Sequence, residues 1–157
     1  MSYARKEYSD FQALAPDAYE AVSTLGRIAA KAGIDQQLLE LIKLRASQIN
    51  GCAFCVQYHI LQAERLGVPI DKLNLVVVWR EAPQFSARER AALDWTEALT
   101  LLTGGVSDEV YEQARAEFSD KELTYLTSAI ASINVWNRFG VAYRWTPPAR
   151  QHLERAR

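Results

Sequence analysis

Apolar residues in this chain recur at helical spacing, and the stretches between them carry the residues that start and stop helices. Asp17 to Lys31 places Tyr19, Val22, Leu25 and Ile28 on one face, behind Pro16 and ahead of Gly33, which predicts an amphipathic helix. Asp35 caps a second, QQLLELIKLRASQI. Its Leu38, Leu39, Leu41, Ile42, Leu44 and Ile49 form so wide an apolar face that the helix is expected to be mostly buried. Asn50-Gly51 supplies the positive φ that ends it, and a third helix runs back antiparallel from Cys52 through Phe54, Tyr58, Leu61 and Leu66 to Gly67. After Pro69, IDKLNLVVVWRE is expected to be helical, with a strand over Val76 to Val78 as the alternative. Capping boxes at Ser86-Ala-Arg-Glu89 and Ser119-Asp-Lys-Glu122 open ARERAALDWTEALTLL and the longest periodic segment, Lys121 to about Tyr143. Ser107 caps a shorter helix over Asp108 to Phe118 between them. No Gly or Pro interrupts the long segment before Gly140, and Thr146-Pro147-Pro148 ends the fold. The pattern predicts an all-α, single-domain helical bundle of about six or seven helices over residues 1–157.

Composition narrows the function classes. Hydrophobic residues make up 49% and charged residues 24% of 157 residues, which is globular and excludes disorder of the whole chain. With 18 Lys+Arg against 19 Asp+Glu there is no electrostatic footprint for nucleic acid or an anionic membrane. The longest apolar run is Leu75 to Trp79, and the N-terminal MSYARKEYSDFQALAP lacks the apolar stretch of an export signal, so neither secretion nor membrane insertion is expected. A lone Cys-x-x-Cys in such a chain points to cytoplasmic thiol chemistry rather than a structural bridge.

The chemistry concentrates in Glu40 to His59, ELIKLRASQINGCAFCVQYH. On a helix starting after Gly51, Cys52, Cys55 and His59 project within roughly 60° of one another, so two thiols and an imidazole share a face. The i, i+3 spacing suits a reversible disulfide, and the first turn of a helix favours a thiolate. Two bland alternatives stand beside this: small core cysteines, and a zinc site using Cys52, Cys55, His59 and Glu40. All three Cys and His residues come from one short segment, whereas structural zinc usually clamps two, which favours redox chemistry. Glu40 itself reads equally well as a solvated partner of Lys43 at i+3. His152 is expected to be a solvated tail residue. The helix terminus favours Cys52 as the nucleophile, whereas the four-residue spacing to His59 favours Cys55.

Glu40, Ser47, Asn50, Gly51, Cys52, Cys55 and His59 together resemble the carboxymuconolactone decarboxylase superfamily, in its alkylhydroperoxidase D (AhpD)-like branch that carries a Cys-x-x-Cys motif. The likeness continues through WREAPQFSARERAALDWTEALTLL and INVWNRFGVAYR, spanning about residues 15–147. This resemblance implies an all-helical fold, a thiol-dependent hydroperoxidase or disulfide reductase, and a homo-oligomer, commonly a trimer or hexamer. It also implies a proton relay of Glu40, Cys52, Cys55 and His59, in which Cys55 attacks peroxide and Cys52 donates a proton and then closes the disulfide. No metal or organic cofactor is implied; turnover takes an external dithiol on a lipoyl-bearing or thioredoxin-like protein. The founding enzymes place a His between the cysteines, where this chain has Ala53 and Phe54. The decarboxylase branch lacks the cysteine pair, so decarboxylation is not expected.

Overall fold

The computed structural model describes residues 5–150. They form α1 (Tyr8–Leu14), α2 (Pro16–Lys31), α3 (Gln36–Ile49), α4 (Ala53–Arg65), α5 (Ile70–Leu75), α6 (Ala87–Leu101), α7 (Asp108–Glu117) and α8 (Asp120–Tyr143). The fold is all-α, with no strand among the described residues. Eight α-helices exceed the six or seven expected because YSDFQAL also folds as α1, anchored by one buried side chain, Phe11. His152 lies outside the described residues.

The stretch after Pro69 splits: α5 gives way to a 3-10 turn at Val76–Val78. Three consecutive β-branched residues crowd an α-helical backbone, and the tighter turn buries Val76 while leaving Val77 and Val78 exposed. Both capping boxes form: Ser86 and Ser119 each accept from the backbone N–H three residues on, and Glu89 and Glu122 reach back to the cap N–H.

Helix α3 is the centre, packed on α4, α6 and α8. Leu39 and Ile42 join Ala92, Leu126 and Ile130 in one cluster, while Leu41 and Leu44 join Ala63, Val76 and Leu93 in a second. Burying each such side chain contributes about 1.5–3 kcal/mol, so tertiary packing rather than intrinsic propensity holds α3. A third, smaller cluster brings Ala46 of α3 and Ile133 of α8 against Cys52 and Cys55. There the fold positions its site.

Candidate active site

The turn from α3 to α4 sets the sulfurs. Gly51 takes φ 68°, Gly51 N–H donates to Gln48 O and Cys52 N–H to Ser47 O, a Schellman closure that only a left-handed residue completes without strain. Cys52 thereby becomes the N-cap of α4, its sulfur accepting from Cys55 N–H at 3.3 Å. Cys52 and Cys55 are joined as a disulfide with Cα atoms 5.3 Å apart, and both are buried.

Asparagines of α8 hold the turn from behind. Asn50 Nδ2 donates to Asn134 Oδ1 and to Asn137 Oδ1, both at 2.9 Å, and Asn137 Nδ2 donates to Ser47 Oγ at 3.0 Å. Ser47 Oγ in turn donates to Lys43 O. Ser47 and Asn50 of the family-like pattern therefore act structurally, locking α3 to α8 beneath the sulfurs.

His59 Nδ1 lies 2.6 Å from Glu40 Oε2, and Lys43 Nζ lies 2.8 Å from Glu40 Oε1. The two readings of Glu40 are therefore both realised, one on each oxygen. Burial alone would raise the Glu40 carboxyl, but the His59 hydrogen bond and charge, with the Lys43 ammonium, hold it at about 2. Burial dominates for His59 and lowers its pKa, against the upward pull of Glu40. The arrangement is a carboxylate accepting the Nδ1–H of a neutral imidazole, which leaves Nε2 to take a proton. Both shifts have the same sign for stability. The contribution of Glu40 is present above its unfolded value near 4.3 and is lost as pH falls towards about 2. His59, buried neutral, begins to destabilise the fold as pH falls below its unfolded value near 6.5.

A cavity of about 610 Å³ opens onto this pair between α2, α3, α4 and α8. Glu40, Cys55 and His59 line it; Cys52 does not. The zinc alternative would need all four side chains to converge, but the sulfurs are bonded to each other. Among the described residues no group of three or more His, Cys, Asp or Glu side chains is placed to hold a metal ion.

Periodicity did not reveal two further features. An aromatic wall surrounds the sulfur end of the cavity: Phe54 stacks on Tyr8 at 5.2 Å between centroids and on Tyr58 at 6.1 Å, with Trp136 and Trp145 behind. Phe54, standing between the cysteines, is thus a wall residue. Burial and the hydrogen bond to Tyr19 raise the Tyr8 phenol, so it stays protonated. The second feature is Gly140, whose missing side chain makes room for the disulfide: a β-carbon there would lie 2.5 Å from Cys52 Sγ and 3.3 Å from Cys55 Sγ. Its only sequence signal was a glycine interrupting a long helix.

Comparison with known proteins agrees with the fold and the motif. The carboxymuconolactone decarboxylase family profile matches residues 16–98. The uncharacterized protein YdfG of Bacillus subtilis (strain 168) is 32% identical over 130 residues, 82% of this chain and 88% of its own length. YnjA of Escherichia coli (strain K12), also uncharacterized, is 36% identical over 110 residues, 69% of this chain and 60% of its own. A solved structure of a protein of unknown function from Agrobacterium tumefaciens, provisionally described as the antioxidant defence protein AhpD, is 40% identical and superposes with a TM-score of 0.86 over 94% of this chain and 99% of its own. The chain belongs to the carboxymuconolactone decarboxylase family, in its AhpD-like branch.

Proposed function

We propose that this protein is a thiol-dependent oxidoreductase that reduces hydroperoxides through the Cys52/Cys55 dithiol. The observation that carries the reading is the disulfide itself, with Cys55 on the cavity wall alongside the Glu40–His59 pair. In the reduced protein His59 takes the Cys55 proton and the thiolate attacks the terminal oxygen of a hydroperoxide. The O–O bond breaks, Cys55 becomes a sulfenic acid, and the departing alkoxide takes the proton back as the alcohol. Cys52 then attacks the sulfenic sulfur, releasing water and closing the disulfide. An external dithiol on a lipoyl-bearing or thioredoxin-like protein restores both thiols, a cycle suited to a reducing cytoplasm. Among the described residues no helix is long and apolar enough to cross a membrane.

Mass spectrometry of the reduced protein before and after hydroperoxide tests the reading. Loss of two titratable thiols with formation of the Cys52–Cys55 disulfide supports it, and retention of both thiols would end it. A thiol–disulfide partner serving another peroxidase shares the dithiol, and differs by oxidising only when that partner's disulfide is supplied.

Glu40→Gln should leave the fold intact and slow thiol oxidation about 10- to 100-fold, because an amide cannot stabilise the imidazolium that forms during proton transfer. Since Glu40 raises the His59 pKa, its loss should also move the acid limb of the rate profile to lower pH. Wild-type rate and limb would confine Glu40 to its Lys43 pairing.

A homo-oligomer, trimer or hexamer, is part of the same proposal. Leu101 and Leu102 at the end of α6, Val77 and Val78 on the 3-10 turn, and Val141 and Tyr143 on α8 are all exposed in the single chain. Sedimentation at micromolar concentration should give a species several times 17.7 kDa. A monomer would overturn it.

A further inference from the structure

The cavity is not uniform along its length, and its gradient selects a substrate. Cys55, His59, Gln62 and Arg65 follow one another along α4, from the aromatic end of the cavity to its other mouth. Antiparallel α3 brings Gln36 to that mouth, where Gln37 Nε2 donates to Leu66 O at 2.8 Å, and the last turn of α2 brings Lys31. Ten residues of helix separate Cys55 from Arg65, about 15 Å at 1.5 Å per residue. Between the ends the lining includes Leu39, Ala30 and Leu66.

The lining holds four cations, Arg27, Lys31, Lys43 and Arg65, against the single carboxylate Glu40. Lys43 is turned to Glu40 beside the histidine, and Arg27 is shared with Glu20. Lys31 and Arg65 bring positive charge to the far mouth. Asp35 lies outside the lining, its carboxylate engaged by Gln37 N–H.

We propose that the preferred substrate is a long-chain fatty acid hydroperoxide bound lengthwise, its carboxylate at Lys31 and Arg65 and its oxidised carbon at Cys55 and His59. The inference rests on the peroxidase reading above. The reach fits: about 15 Å is one acyl chain, half the ~30 Å hydrocarbon thickness of a bilayer. The apolar middle takes the methylenes, and the wall of Tyr8, Phe54 and Trp136 takes the tail beyond the peroxide. The same dithiol chemistry then yields a hydroxy fatty acid, water and the disulfide.

The test compares three oxidants on the reduced protein by stopped-flow loss of thiols: linoleic acid hydroperoxide oxygenated toward its methyl end, its methyl ester, and tert-butyl hydroperoxide. At low salt the free acid should oxidise the dithiol about tenfold faster than the ester, the scale of two exposed ion pairs. The gap should close at molar salt, where screening shortens to about 3 Å. In Lys31→Gln/Arg65→Gln the acid-to-ester ratio should fall toward one, with the tert-butyl hydroperoxide rate of each protein as reference. Equal rates for acid and ester in the wild type, or a preference that neither salt nor the double substitution reduces, would overturn this inference and leave the peroxidase reading standing. Failure of all three oxidants would end both.

Discussion

Gly140→Ala should make the disulfide markedly easier to reduce. Helix propensity alone predicts a stabilised α8, since alanine is favoured over glycine by about 1 kcal/mol in a helix interior. Space predicts the reverse: the new carbon would meet Cys52 Sγ at 2.5 Å and Trp145 Cε3 at 3.5 Å. The sulfur cannot swing away cheaply, because it is bonded to Cys55 and accepts the Cys55 N–H as the cap of α4. Reduction frees it to rotate, so the penalty falls on the oxidised state. Overpacking of about 1–3 kcal/mol, borne mainly by that state, raises the midpoint potential by roughly 20–60 mV at 30 mV per 1.4 kcal/mol. Redox titration against dithiol buffers, read by mass spectrometry after thiol capping, measures this directly. An unchanged midpoint with a higher unfolding temperature would show that the backbone yields and that Gly140 serves only helix packing.

The two ends of that contact illustrate what a linear reading can and cannot reach. The spacing of Cys52, Cys55 and His59 is local, so helical periodicity by itself puts them on one face. Glu40 is nineteen residues from His59, yet the turn at Asn50-Gly51 folds α3 against α4 and so implies the meeting. Gly140 and the Asn134–Asn137 pair belong to α8, which reaches the sulfurs only through tertiary packing that no local period encodes. Helix α1 escapes for the same reason. Its seven residues bury only Phe11, against Tyr19, Trp136, Phe139 and Trp145, all of them on other elements. Its N-terminus is held in part by Glu7, which accepts from Thr146 N–H and Oγ1 at the far end of the chain. The aromatic wall and the cationic mouth are likewise assembled from several helices, each contributing residues that, taken alone, look like ordinary amphipathic faces.

The two sulfurs should fail differently when removed. Cys55→Ser should abolish peroxide consumption, whereas Cys52→Ser should react once and hold Cys55 as a sulfenic acid, because no thiol remains to condense with it. Position along the helix leaves the assignment open, and the folded geometry sharpens both sides. Cys52 is the N-cap, its sulfur already accepting a backbone N–H at 3.3 Å, which is where a thiolate is most stabilised. It is also 1% exposed, stands against Gly140 and lies off the cavity wall. Cys55 is on that wall, one turn of α4 before His59. A nucleophile must reach its substrate before its pKa matters, so access assigns the attack to Cys55. The cap suits Cys52 to the complementary role, as the thiolate that resolves the sulfenic acid and departs when an external dithiol opens the disulfide at Cys55. Serine is a favoured N-cap residue, so Cys52→Ser should fold and its phenotype should report chemistry. Trapping with dimedone after one equivalent of hydroperoxide should label Cys55 in Cys52→Ser and nothing in Cys55→Ser. Label on Cys52 in Cys55→Ser, with none on Cys55 in Cys52→Ser, would reverse the assignment and show that stabilisation of the thiolate at the helix terminus outweighs access from the cavity.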